Sequence, residues 1–87
     1  MIKIEKHDAN GLKNDNIQIE TDSLETYWDA KALFFDLKVN FPELGFFMQG
    51  DSCFVGKYWL MFESWSDNHE MFERAFEFAK ERLKEIV

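Results

Sequence analysis

The chain has 87 residues, enough for one domain. Apolar residues make up 46% of it and aromatic residues 17%, which excludes intrinsic disorder. A formal net charge of −7 argues against an electrostatic grip on nucleic acid or on an anionic membrane, since both need clustered Lys and Arg.

The first elements in chain order are two alternating runs. Ile2 and Ile4 alternate with Lys3 and Glu5, and Ile17 and Ile19 alternate with Gln18 and Glu20. Period two with β-branched residues is the pattern of half-buried strands. Between them lie Asn10-Gly11 and Asn14-Asp15-Asn16, which are turn-formers, so the pair reads as a hairpin with a long polar loop. Met1 to Lys6 mixes charge with apolarity and does not resemble a signal peptide.

Residues 22–41 admit two readings. Asp22 with Glu25 has the spacing of a capping box, and Ala30, Lys31, Ala32 and Leu33 are good helix formers. Against a continuous helix, Leu33, Phe35, Leu37, Val39 and Phe41 alternate with Asp36, Lys38 and Asn40. A helix would also draw Lys31 and Lys38 into its apolar arc. The alternation favours a helical turn or loop at 22–30 followed by a strand over 32–41. The alternative is a second helix within 22–40.

Residues 44–49 read as a strand and Gly50-Asp51-Ser52 as a turn. Residues 53–64 read as strand, split by Gly56-Lys57 into a tight hairpin. There Tyr58, Leu60 and Phe62 share one side, with Trp59, Met61 and Glu63 on the other. The last segment is a helix over 67–85, capped by Ser66 or Asp67. Met71, Phe72, Ala75, Phe76, Phe78, Ala79, Leu83 and Ile86 form one apolar arc. Glu70–Arg74, Glu77–Lys80 and Glu81–Lys84 are favourably spaced pairs on its polar face. The expected fold is α+β: a small antiparallel sheet of about four or five strands, covered on one face by this C-terminal helix.

Enzyme signatures do not emerge. There is no glycine-rich phosphate loop and no nucleophile elbow. His69 and Glu73 stand one helical turn apart, but the second histidine of a zinc helix is missing, so His69 reads as a first-turn residue. Cys53 is the sole cysteine, which rules out a disulfide within the chain and reads as a small core residue. No catalytic residue, metal or cofactor is expected, and the location is expected to be cytoplasmic.

The aromatic residues carry the functional expectation. Ten Phe, three Trp and two Tyr are more rings than one thin core needs. Exposed aromatics mark interaction surfaces. Glu20, Asp22, Glu25 and Asp29 surround Tyr27 and Trp28. Glu63 and its acidic neighbours surround Trp65, and Trp59 and Met61 lie on the strand side away from the expected core. Those ten residues are the candidate partner contacts. Carboxylates around a ring suit a protein partner with a basic surface, such as a nucleic-acid enzyme. The expected function is an inhibitor of the immunity or anti-defence type. The alternative is a homo-oligomeric structural or accessory subunit without catalytic activity.

Overall fold

A computed structural model describes residues 2–7 and 14–86. Its elements are β1 (Ile2–His7), β2 (Asn16–Thr21), α1 (Leu24–Asn40), a 3-10 turn (Pro42–Leu44), β3 (Phe47–Phe54), β4 (Lys57–Glu63) and α2 (His69–Ile86). The strands form one antiparallel sheet in the order β1-β2-β4-β3. The fold is α+β. The expected Asn10-Gly11 turn and the packing of Ile86 lie outside the described residues.

The alternating strands set the register. Ile4 stands opposite Ile19, Ile19 opposite Leu60, and Ile17 opposite Phe62. One face of the sheet is therefore apolar, and Ile17, Ile19, Leu60 and Phe62 on it are buried. Both helices cover that face. Tyr27, Ala30, Leu33, Phe34 and Leu37 come from α1, while Phe72, Ala75, Phe76, Ala79 and Leu83 come from α2. Phe34 meets Phe62 across the layers with ring centres 5.1 Å apart. The result is a two-layer domain with its core between helices and sheet. Among the described residues, no helix is long and apolar enough to cross a membrane.

Residues 22–41 correct the favoured sequence reading. Within them Leu24–Asn40 is a single 17-residue helix, with no strand over 32–41. The alternation is the sum of two helical rows. Leu33 and Leu37 face the core with Phe41 half-buried behind them, while Phe35 and Val39 face out. Two rows of i, i+4 spacing, offset by two residues, look like a strand in one dimension. Lys31 and Lys38 sit between the rows, and neither ammonium is stranded. Lys31 bonds Asp51 at 2.9 Å and Lys38 lies 5.4 Å from the Phe34 ring centre.

Three boundaries also differ. The cap of α1 is Ser23, whose Oγ accepts the Thr26 N–H, and Asp22 precedes it. The cap of α2 is Asn68, whose Oδ1 accepts the Met71 N–H at 3.1 Å. Gly50-Asp51-Ser52 is no turn but part of β3, where the register shifts between Met48 and Gly50 in a β-bulge. The β3–β4 hairpin turns instead through Val55 and Gly56, with Gly56 supplying the left-handed backbone at φ 79°.

Candidate interaction site

The face of the sheet turned away from the helices is built by the same alternation that makes the core. Register places Lys3, Glu20, Trp59 and Ser52 in one row across the sheet, and Glu5, Gln18, Met61 and Gly50 in the next. Trp59 and Met61 are half-buried. The Trp59 ring lies over Gly50, where an added Cβ would collide with ring atoms Cζ3 and Cη2. Its Nε1–H donates to Gln18 Oε1 at 3.3 Å. Gly50 is thus the gap that lets an indole lie flat across the sheet.

Beyond that ring the β3–β4 hairpin projects past the end of β2. A recess of about 420 Å³ opens there, lined by Glu20, Asp22, Ser52, Phe54, Lys57 and Trp59 among others. Phe54 is 72% exposed at its edge. At the opposite end of the same face, Trp65 follows β4 and stacks on Phe47 with ring centres 4.8 Å apart. The Trp65 N–H donates to Leu44 O, so its backbone is anchored while its side chain stays exposed. Glu63 accepts a bond from Asn14 Nδ2 at 3.2 Å.

The ten expected contact residues divide between two sides of the molecule. Glu20, Trp59, Met61 and Glu63 lie on the open sheet face, with Trp65 at its end. Glu25, Trp28 and Asp29 lie on α1, where Trp28 is 57% exposed. Asp22 stands in the bend between β2 and α1 and lines the recess. Tyr27 is a correction: its ring is buried against Tyr58, and it presents no surface to a partner. Sequence reasoning missed Phe35 and Val39, hidden by the strand reading, and Val55 at the hairpin tip. All three are exposed.

The half-buried edge of α1 that faces β3 holds a polar knot. Tyr27 Oη donates to Asp51 Oδ1, and Lys31 bonds Asp51 Oδ2. Burial alone would raise the Asp51 carboxyl. The Tyr27 and Lys31 donors outweigh it and hold the group below the usual carboxylate range. The hydrogen bond to Asp51 raises the Tyr27 hydroxyl, and the same partner raises Lys31. This cluster ties α1 to β3.

Residues with chemical potential are otherwise occupied in structure. His69 Nδ1 meets the fully buried Asp15 carboxylate at 2.6 Å, and Glu73 pairs with Lys6 on β1. Ser64 is fully buried, and its hydroxyl donates to Leu44 O at 2.8 Å. Cys53 is exposed on β3, not in the core as its strand context suggested. Among the described residues, no three His, Cys, Asp or Glu side chains gather to hold a metal. No protein-family model matches the chain, and no curated protein or solved structure matches it.

Proposed function

We propose that this chain is a non-catalytic binding module whose open sheet face takes a basic side chain of a protein partner. The recess beside Trp59 carries the reading. It joins an aromatic wall, Trp59 and Phe54, to the carboxylates of Glu20 and Asp22. A guanidinium stacks on an indole and pairs with carboxylates at once, which few other side chains can do. The net charge of −7 steers such a partner toward the module. Proteins that handle nucleic acids present surfaces of this kind. Covering one would inhibit it, so an immunity or anti-defence role is the form of this reading that charge favours.

An arginine-rich peptide tests it directly. In a protein carrying Trp28→Phe and Trp65→Phe, the remaining indole reports on the recess. Binding is expected to change its fluorescence and to weaken as salt rises. Glu20→Lys is expected to abolish the response. A peptide that binds equally well to wild type and Glu20→Lys would defeat the proposal.

A further inference from the structure

A second surface on the opposite side of the molecule has its own logic. Helix α1 buries one row of side chains against the sheet, yet its outer row is apolar too. Leu24, Trp28, Phe35 and Val39 are 47%, 57%, 63% and 78% exposed. With Ala32 they recur at spacings of four, four, three and four, which lines them up along one ridge about 22 Å long. A helix that is apolar all round belongs in an interior. This monomer supplies an interior for only half of it.

The charges beside that ridge say what covers it. Helical spacing puts Asp29 and Asp36 along one flank and Lys31 and Lys38 along the other. The contacts agree. Asp36 faces α2, where Arg82 meets it at 3.4 Å, while Lys31 faces β3 and Asp51. One flank is therefore acidic and the other basic. Two such helices paired antiparallel about a two-fold axis would set Asp against Asp and Lys against Lys. Paired in parallel, each acidic flank meets the basic flank of the other copy. Lys31 and Asp36 are five residues apart, the spacing at which flanking charges pair across a parallel seam. An ammonium has three donors, so Lys31 can hold Asp51 and a second carboxylate together.

We propose that the outward ridge of α1 is the contact between two copies of this chain, packed with their α1 helices parallel about a two-fold axis. Trp28, Phe35 and Val39 are the buried centre, and Lys31 with Asp36 sets the direction. The assembly is four layers deep, sheet-helix-helix-sheet, and leaves both open sheet faces outward.

Sedimentation equilibrium on the full chain, with circular dichroism to confirm folding, reads the proposal. Wild type is expected to be a dimer. Phe35→Glu, at an exposed site that the monomer fold does not need, is expected to raise its dissociation constant by roughly thirtyfold or more. Asp36→Lys leaves the ridge intact and should weaken the dimer by setting Lys against Lys31. In a Cys53→Ser background, Val39→Cys should crosslink to itself, because a parallel pair brings position 39 beside its own copy. Trp59→Ala should leave the dimer unchanged, which keeps this surface separate from the recess. A monomer at the highest soluble concentration would overturn the idea, as would a dimer indifferent to Phe35→Glu or dissociated by Trp59→Ala. Crosslinking of Leu24→Cys to Val39→Cys, in place of self-crosslinking, would overturn the parallel arrangement.

Discussion

Helices α1 and α2 are nearly equal in length, 17 and 18 residues, and pack side by side on one sheet face, yet they solve different problems. Helix α2 has one apolar arc and one charged face. None of its described large apolar side chains is exposed. Its outer surface carries ion pairs such as Lys80–Glu77 at 2.9 Å and Lys84–Glu81 at 3.7 Å. Helix α1 has apolar rows on both sides and confines its charges to the flanks. A helix with one greasy face finishes a core. A helix with two can finish a core and begin an interface.

The sharpest way to break this contrast is to truncate a ring on each helix. Phe72 on α2 is 1% exposed, and Phe72→Ala should cost about 3–5 kcal/mol in urea unfolding. Phe35→Ala on α1, measured at concentrations where the chain is monomeric, should shift stability by about 0.5 kcal/mol or less. Equal losses would mean that the outer row of α1 belongs to the monomer core.

Tyr27→Phe asks how α1 is held to the sheet edge. It keeps the ring and removes the hydroxyl that donates to Asp51. A bond to a charged acceptor makes the expected loss about 1.5–3 kcal/mol near neutral pH. The folded Asp51 carboxyl lies below its ordinary value, so this stabilisation is present above the unfolded pKa and fades as pH falls through the folded one. The gap between Tyr27→Phe and wild type should therefore close in acid, below a pH of about 3.9. A gap constant from neutral pH to acid would remove the carboxylate from the account.

The helix ends should behave alike. Ser23→Ala and Asn68→Ala each remove a side-chain acceptor from a first-turn N–H and should each cost about 1 kcal/mol in thermal unfolding. Matching values would assign the difference between the helices to their faces. The smallest effect belongs to the surface of α2. There Lys80→Ala removes an exposed pair with Glu77 and should change stability by about 0.5 kcal/mol or less.

Legibility followed the same divide. A single period is readable, so β1, β2, β4 and α2 all stood out, and the alternation through Tyr58, Leu60 and Phe62 correctly sent Trp59 and Met61 to the other side of the sheet. Two superposed periods are not readable one window at a time. The inner row through Leu33 and Leu37 and the outer row through Phe35 and Val39 interleave into a false period of two. Caps went astray by one or two residues because Asp22 and Ser23, or Ser66, Asp67 and Asn68, are all competent acceptors, and the backbone path chooses among them. Gly50 misled for a different reason. Its partner Trp59 is nine residues away in sequence, and only the folded sheet shows that the glycine serves a ring and not a turn.

The extra residue at the β3 bulge has a consequence for the protein's behaviour in a crowded solution. Strands β1 and β3 are the two rims of the sheet, and an open rim is a template on which other chains can polymerise. The irregular step between Met48 and Gly50 breaks the straight row of donors and acceptors along β3. Lys3, Glu5 and Lys6 load the β1 rim with charge. In a chain this rich in exposed rings, both features work against pairing of further strands along the sheet edges.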